Sequence, residues 1–430
     1  MPRSPRSDFF LRSDLDSGMS GEAAESNREW RARAEAVLPG GASTGSKRAD
    51  ALYGPDTDFG PTHYSRAAGC RVLTTAGEEL VDCTMSLGAV AIGYADEVVT
   101  AAVADAAARG NVSGLSHALE VTVAERLCDV VPCAEAVRFL KTGAEGVAAA
   151  VRIARRYTGR KRVVGCGYFG WLDWCTSDDA GVPAGARADF TAVPFDDLQA
   201  LRQAAESAAG DLAAIVIEPV VEKLPTIEWL QDARDLCDRL GAVLIYDEIK
   251  TGFRIATGGL QSHSDFADVT PDMAVFAKAF ANGFPLAAVV GNAAVMDAAR
   301  STWISSTLAG EAVALAAANA VLDWHERAEV CEGLAEIGEE MRSSVARSIA
   351  ASRISGVALH GLSPMWFLRF DDPARESRFL ELALERGVLF KRGPYNFASL
   401  AHDESAIAAI ENAASSGFVQ MREEDDSAGS

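Results

Sequence analysis

The sequence predicts an α/β fold built on a mostly parallel sheet. In the middle of the chain, short apolar runs alternate with longer segments whose apolar residues recur at helical spacing, which is typical of βαβ units. The apolar runs are continuous, which indicates strands that are covered on both faces. At 430 residues the chain also exceeds the length at which a single core stops growing, so we expect more than one domain.

Six apolar runs are the predicted strands, and helical patterns fill most of the intervals between them. The runs are 136–140, 162–164, 213–217, 242–246, 273–276 and 286–290. After about Gly310 the pattern changes to a long alanine-rich helix, Glu311–Leu322, followed by shorter helix and strand pieces. We therefore expect an N-terminal segment packing on the small domain (1–75), a large domain (76–310) and a smaller α+β domain (311–430).

Composition excludes several classes of partner. Residues 1–27, which we predict to be disordered, lack the apolar stretch of a signal peptide or membrane span, and 423–430 form an acidic run for which we also predict disorder. With 40 basic and 61 acidic side chains, the net charge of -21 argues against nucleic acid and anionic lipid. The eight cysteines are scattered, with no Cys-x-x-Cys pair and no histidine at ligand spacing. We expect a cytoplasmic protein with reduced thiols, no membrane partner and no metal site.

A lysine and an aspartate follow two of the predicted strands. Lys278 lies in the apolar run Val275–Gly283, where burial disfavours the charged amine, lowers its pKa and lets it condense with an aldehyde. Asp247 follows the run 242–246, and a carboxylate there is costly to bury unless it is paired. The protonated ring nitrogen of pyridoxal 5'-phosphate (PLP) is one such partner, and a backbone turn bound by the carboxylate is the alternative.

The segment after the first predicted strand suits a phosphate. Thr142 and Glu145 predict a capping box at the start of a helix that ends near Gly159. The amides of Gly143 and Ala144 would present free donors and the positive end of the helix dipole at the sheet edge where ligands bind in such folds. An ordinary capped helix is the alternative interpretation.

The glycine run that follows 162–164 has the spacing of a dinucleotide-binding fingerprint. That fingerprint needs a helix at its third glycine, but the sequence from Trp171 to Pro183 is typical of a loop, which argues against a nicotinamide-dependent oxidoreductase. Tyr168 in this run is placed to stack on a planar cofactor, and a core tyrosine is the alternative. Trp171 and Trp174 predict either a sugar pocket or core packing.

Ordered motifs across most of the chain resemble the class III aminotransferases of fold type I, which use PLP and include glutamate-1-semialdehyde aminomutase. The matching segments are Leu38–Arg48, Gly77–Asp82, Leu87–Tyr94, Thr142–Glu145, Ala154–Arg160, Ile217–Val220, Asp247–Arg254, Ala277–Leu286 and Ser305–Glu311. The resemblance implies a homodimer whose active site is shared across the subunit interface. It also implies two small-molecule substrates, an amino donor and a carbonyl acceptor.

The resemblance implies a role for individual residues. Lys278 matches the lysine that forms a Schiff base with PLP, and Asp247 matches the aspartate paired with the pyridine nitrogen. Tyr168 matches the residue stacked on the ring, with Ile249 expected on the opposite face. The other implied cofactor contacts are Gly143 and Ala144 at the phosphate, Thr307 at the phosphate of the neighbouring subunit's cofactor, Phe169 at the cofactor's edge, and Glu218.

Two positions depart from the family pattern. Ala144 stands where the family usually has Ser or Thr, so a hydroxyl is lost and only the backbone amide is left to hold the phosphate. Phe169 stands where a histidine commonly follows the stacking tyrosine, which makes that edge of the cofactor site more apolar. We expect weaker cofactor binding from the first change and no effect of either change on Lys278.

The sequences of several segments resemble those of the carbohydrate branch of the family, which aminates oxidised sugars. These segments are Pro39–Arg48, Gly167–Trp174, Ile304–Thr307 and Ser399–His402. The composition of the chain also has an actinomycete-like bias towards Ala and Arg, which favours an aminoglycoside pathway. We therefore expect the acceptor to be a keto or aldehyde sugar in aminoglycoside biosynthesis, and the donor to be an amino acid such as glutamate. An epimerase or an aminomutase, including glutamate-1-semialdehyde 2,1-aminomutase, is the alternative outcome on the same residues.

Four cations are candidate anchors for the carboxylate of the donor. They are Lys47, Arg48, Lys391 and Arg392. A solvated surface cation is the alternative interpretation of each.

Overall fold

Three sheets and thirteen helices make up the computed structural model, which describes residues 26–428. The strands are β1 (Tyr64–Ala68), β2 (Arg71–Thr74), β3 (Glu79–Asp82), β4 (Ala136–Leu140), β5 (Arg162–Cys166), β6 (Phe190–Ala192), β7 (Leu212–Ile217), β8 (Val243–Asp247), β9 (Met273–Phe276), β10 (Ala287–Gly291), β11 (Val357–Leu362), β12 (Met365–Phe370), β13 (Val388–Leu389) and β14 (Asn396–Phe397).

The helices vary from one turn to seven turns. They are α1 (Asn27–Val37), α2 (Ala49–Tyr53), α3 (Met85–Gly88), α4 (Glu97–Arg109), α5 (Ala118–Val130), α6 (Gly143–Thr158), α7 (Leu198–Ser207), α8 (Ile227–Leu240), α9 (Ala293–Met296), α10 (Ala312–Arg327), α11 (Val330–Ser352), α12 (Pro373–Leu384) and α13 (Glu404–Ala428). Within the described range, no helix is both long enough and apolar enough to cross a membrane.

The central sheet has seven strands in the order β4-β10-β9-β8-β7-β5-β6. All of its neighbours are parallel except β10, which is antiparallel to both β4 and β9. Every residue of β7, β8 and β9 is buried, because helices cover both faces of the sheet. The α/β class and the six predicted strands are confirmed, and the short edge strand β6 was not predicted.

The helix that follows β4 forms as the capping signals predict. The Thr142 side chain accepts a hydrogen bond from the Glu145 amide (3.3 Å), and the Glu145 carboxylate accepts one from the Thr142 amide (2.9 Å). The helix ends at Gly159, whose φ of 70° is left-handed. One buried face packs α6 against the sheet, which fixes its first turn at the carboxyl edge of the parallel strands.

The two smaller sheets join sequence-distant parts of the chain. One has the order β1-β2-β3-β13, in which β13 from the C-terminal part pairs in parallel with β3, and the other has the order β11-β12-β14. The expected division at 75/76 therefore falls inside a sheet, between β2 and β3. The division at 310/311 falls directly before α10, and Glu311 caps that helix by accepting from the amides of Val313 and Ala314.

The prediction of a disordered acidic tail is wrong as far as residue 428, because α13 continues to Ala428. Arg378 forms an ion pair with Glu424 (2.7 Å), and Arg375 forms one with Asp425 (2.9 Å), so the acidic residues lie against basic side chains of α12. The prediction for the first 27 residues falls outside the described residues, except that Ser26 and Asn27 begin α1. The eight cysteines are free thiols.

Candidate active site

Lys278 lies where the chain turns from β9 into β10. It opens a single 3₁₀ turn, Lys278–Ala281, and its own φ is 52°. A left-handed backbone at a residue other than glycine costs on the order of 1–3 kcal/mol and is concentrated at functional sites. The side chain keeps some contact with solvent, yet the protein around it desolvates the amine and lowers its pKa to about 8. The neighbouring Lys250 ammonium lowers this pKa further.

Asp247 is the last residue of β8 and is 2% exposed. It lies beside Val275 in the parallel register of β8 and β9, which brings it to the same sheet edge as Lys278. Its Oδ1 accepts a hydrogen bond from the Ile249 amide at 3.0 Å. Burial raises the pKa of this carboxyl to about 8, and the nearby Glu218 carboxylate adds to the effect.

The first turn of α6 lies against the segment that follows β8. A Cβ atom on Gly143 would lie 2.6 Å from Cδ1 of Ile249, so the backbone at this position packs directly on that side chain. A Cβ on Gly170 would lie 2.5 Å from the Cβ of Ala144, which brings the loop after β5 to the same helix end. The amides of Gly143 and Ala144 are the first of the helix and have no partner within it.

Glu218 follows β7 and connects the loop after β5 to the rest of the site. A Cβ on Gly167 would lie 2.4 Å from the Cβ of Glu218, which explains why glycine stands there. The Glu218 Oε2 accepts a hydrogen bond from the Tyr168 amide at 3.2 Å, and its Oε1 forms an ion pair with Lys250. The Tyr168 side chain is 73% exposed and lies at the open side of this cluster.

Phe169 and Trp174 pack together beneath the loop. Their rings are stacked with centroids 6.2 Å apart, and Phe190 of β6 meets both edge-on. Phe169 is buried, and Trp174 is half-buried in the same apolar cluster. Trp171, by contrast, is 73% exposed.

Sequence reasoning missed two residues of the cluster, Lys250 and Tyr395. Lys250 follows β8 by three residues, and its ammonium lies 4.5 Å from the centroid of the Tyr395 ring. A second lysine so close to Asp247 was a usable signal in the sequence. Tyr395 carried no such signal, because 145 positions separate it from Lys250.

Among residues 26–428, no hydrogen bond or ion pair joins Lys278 to the other predicted site residues. Thr307 is exposed, and it lines a cavity of ≈ 1400 Å³ together with the loop 110–117 and β4. Lys47 is an exposed residue of the N-terminal segment. Arg392 forms an ion pair with Glu376 (3.7 Å), and the Lys391 ammonium donates to the Arg392 carbonyl, so both of these cations already have partners.

The side chains and backbone amides at this edge of the sheet fit PLP. The site combines an amine with a pKa of about 8, a carboxyl that burial has left in need of a cationic partner, and the unpartnered amides of a helix end. At Gly143 and Gly170 the backbone approaches its neighbours so closely that a side chain would fill the space beside those amides. Lys278, Asp247, Gly143, Ala144, Tyr168, Glu218 and Ile249 are the residues that this arrangement brings together.

Comparison with known proteins gives one family and many similar structures. The family described as aminotransferase class-III matches residues 53–401. The FumI protein of Sphingopyxis sp. MTA144, solved in the PLP internal aldimine form, is 26% identical with a TM-score of 0.86 over 93% of this chain and 97% of that chain. A transaminase with PLP bound is 26% identical with a TM-score of 0.82, covering 94% and 99% of the two chains. An omega-transaminase from Sphaerobacter thermophilus shares the fold at 24% identity, with a TM-score of 0.80 and coverage of 93% and 98%.

Proposed function

Because this chain belongs to the class III aminotransferases, which are PLP-dependent enzymes of fold type I, we propose that Lys278 binds the cofactor and that the amino group is transferred to an oxidised sugar. The observation that carries the proposal is the meeting of Lys278 and Asp247 at one sheet edge, beside the free amides of α6. The amine, the carboxyl and the anion site match the three chemical parts of PLP. The proposal of a sugar as acceptor rests on the sequence motifs and on the exposed aromatic residues of the loop after β5.

Lys278 is the proposed acid and base of the reaction. When bound, PLP supplies an aldehyde carbon that exchanges amines and a ring that takes up negative charge. The Lys278 Nζ would take up the proton of the donor's α-carbon as a base and give it back as an acid. A pKa of about 8 suits both directions, because the amine gains and loses a proton near neutral pH.

Asp247, Ile249 and Tyr168 would orient the ring. Asp247 would hold a proton at the ring nitrogen, and its carboxyl is already fixed by the Ile249 amide. Ile249 and Tyr168 would cover the two faces of the ring, with Phe169 beneath the tyrosine loop. Excluding water from one face strengthens the Asp247 interaction by lowering the local dielectric constant.

The amides of Gly143 and Ala144 would hold the phosphate. Because Ala144 has no hydroxyl, the two amides and the helix dipole would bind the phosphate without a side-chain donor at this position. We propose that Thr307 of a second subunit completes the site. The exposed apolar residues Leu115, which lines the Thr307 cavity, and Trp303, which precedes the cavity-lining Ile304 in the chain, support a homodimer through this face.

The acceptor is proposed to be a keto or aldehyde sugar of an aminoglycoside pathway, aminated at the expense of an amino acid donor such as glutamate. Trp171 and Tyr168 lie in the loop after β5 and are each 73% exposed, and their flat apolar faces and polar ring groups suit a sugar ring. The net charge of -21 favours the approach of a cationic acceptor. Lys47 is retained as a candidate anchor for the donor's carboxylate. An epimerase or aminomutase outcome uses the same residues.

The Lys278→Ala variant tests the cofactor assignment. We expect the purified enzyme to be yellow, with a visible band that borohydride bleaches, and the variant to lack this band. Lys223→Ala, which removes an exposed lysine paired with Asp196, is the matched control and should keep the band. If Lys278→Ala retains a borohydride-sensitive band, the assignment of Lys278 is wrong.

A half-reaction screen tests the substrate. Amino acids are added one at a time to the yellow enzyme, and loss of the visible band identifies the donor. The aminated cofactor form is then offered keto and aldehyde sugars, glutamate-1-semialdehyde and simple keto acids. Recovery of the band with an oxidised sugar supports the proposal, whereas recovery with keto acids alone refutes the sugar assignment.

A further inference from the structure

The candidate active site holds a second amine, Lys250, whose side chain is only 10% exposed. Its ammonium forms an ion pair with Glu218 and lies over the ring of Tyr395, with Nζ 3.5 Å from the tyrosine hydroxyl. Burial alone would lower the pKa of Lys250, but the Glu218 carboxylate and Tyr395 raise it above its usual value. Lys250 is therefore a fixed positive charge inside the site.

Tyr395 is itself held in place by the segment that follows β7. Its hydroxyl accepts a hydrogen bond from the Glu222 amide at 3.0 Å. The Glu222 carboxylate in turn forms an ion pair with Arg369 of β12 at 2.9 Å. The Lys250 ammonium thus lies between a carboxylate from the central sheet and an aromatic ring from the segment between β13 and β14.

Lys250 and Lys278 lie three residues beyond Asp247 and Val275, which are paired positions of the adjacent parallel strands β8 and β9, so the two lysines share one electrostatic environment. The charged groups that act on Lys278 are Lys250 and Arg254, which oppose its protonation, and Glu218 and Asp247, which favour it. Among residues 26–428, Lys250 has a carboxylate ion-pair partner and Lys278 has none. Of the two amines, Lys250 therefore keeps its proton, and Lys278 is the one that becomes neutral.

We propose that Lys250 is a positioning residue for the PLP-binding amine: its ammonium, clamped by Glu218 and Tyr395, opposes a second positive charge on the Lys278 nitrogen. The same clamp holds Glu218 in the orientation in which it accepts from the Tyr168 amide. The inference rests on the proposed function of Lys278 as the cofactor lysine. Lys250 acts through the charge it places beside Lys278, so its length and polarity matter less than its sign.

The test uses the full-length enzyme loaded with PLP. The visible band changes when the Lys278 nitrogen gains or loses a proton, so its pH midpoint reports the charge environment directly. Lys250→Met and Lys250→Gln remove the positive charge and the ion pair to Glu218, and both changes favour a proton at Lys278. We expect the midpoint to rise by about one pH unit or more in both variants.

Two further variants separate charge from shape. Lys250→Arg keeps the positive charge and should keep the wild-type midpoint, while Lys223→Met removes an exposed lysine and should also leave it unchanged. Thermal unfolding establishes that each variant is folded. Lys250→Gln preserves hydrogen bonding to Glu218, so it provides the result if Lys250→Met does not fold.

The outcomes are distinct from those for the proposed function. A wild-type midpoint in folded neutral variants overturns the inference, and so does an equal rise in Lys250→Arg. In both cases a lysine-dependent band would remain, and the assignment of Lys278 would stand. If the wild-type band does not depend on Lys278, the proposed function fails first.

Discussion

Gly143→Ala perturbs the proposed phosphate end of the site by a single methyl group. The new Cβ would lie 2.6 Å from Cδ1 and 3.1 Å from Cγ1 of Ile249, whereas carbon atoms in contact are normally about 3.5–4.0 Å apart. Ile249, which is proposed to cover one face of the ring, must therefore move by roughly 1 Å. Overpacking of this kind costs about 1–3 kcal/mol. If the strain is relieved only in the cofactor-free protein, the affinity for PLP falls about 5- to 150-fold.

Two other glycines provide matched controls. A Cβ on Gly146 would lie 2.7 Å from Cγ1 of Val275, an equally close contact that faces the sheet instead of the helix end. A Cβ on Gly185 would meet nothing within 4 Å. Gly146→Ala should lower the melting temperature with little change in PLP affinity, and Gly185→Ala should change neither.

The assay is a titration of stripped protein with PLP, followed by the visible absorbance band, together with a thermal melt of each variant. Weakened binding in Gly143→Ala alone supports the arrangement of the first turn of α6 around the cofactor. Wild-type affinity in Gly143→Ala would refute it, because Ile249 could then move without disturbing the ring. Equal weakening in Gly146→Ala would show that the effect comes from general destabilisation.

Three further predictions concern the amine, the proposed interface and the C-terminal helix. Because the pKa of Lys278 is lowered to about 8, roughly a tenth of the amine is neutral at pH 7. The rate at which enzyme stripped of PLP binds the cofactor again should therefore rise between pH 7 and 9 and then level off. A rise that continues to pH 10 would contradict the lowered pKa. Leu115 lines the Thr307 cavity and is 84% exposed, so Leu115→Glu should convert a dimer to monomers, as measured by light scattering. Val37→Glu, at a 78% exposed side chain outside the cavity, should leave the dimer intact. A Leu115→Glu protein that stays dimeric would place the interface elsewhere. Arg378→Ala removes the ion pair to Glu424 and should lower the free energy of unfolding by less than about 1 kcal/mol, yet it should speed hydrogen exchange in residues 423–428. Arg300→Ala, which removes the exposed ion pair with Asp297, should leave that exchange unchanged. Unaltered exchange in Arg378→Ala would mean that α13 does not depend on α12 there.

The sequence was sufficient for those features that depend on short segments. The strands β7, β8 and β9 are continuous apolar runs, and burial on both faces of a sheet produces such runs directly. The capping box of α6 also follows from two residues three positions apart. Asp247 and Lys278 could be found because Asp247 ends one strand and Lys278 lies two residues past the end of the next, and the carboxyl ends of parallel strands meet at one edge of the sheet.

The features that could not be predicted depend on contacts between distant segments. The pairing of β13 with β3 joins residues about three hundred positions apart, and neither strand shows its partner in its own pattern. The helical acidic end of α13 forms ion pairs with Arg375 and Arg378 of α12, which composition alone does not show. The clamp on Lys250 depends on Tyr395 in the same way.

The hairpin that carries Lys278 has a kinetic consequence. On one side the lysine follows β9, which is paired with β8 and β10, and on the other side the chain returns as β10, which is paired with β4. With both flanks anchored in the sheet, a freed amine stays within one side-chain length of its point of attachment. As the proposed cofactor lysine, Lys278 would then have a high local concentration at the site and would recapture the cofactor before it diffuses away. We therefore expect retention of PLP over repeated turnovers to depend on the backbone on both sides of Lys278.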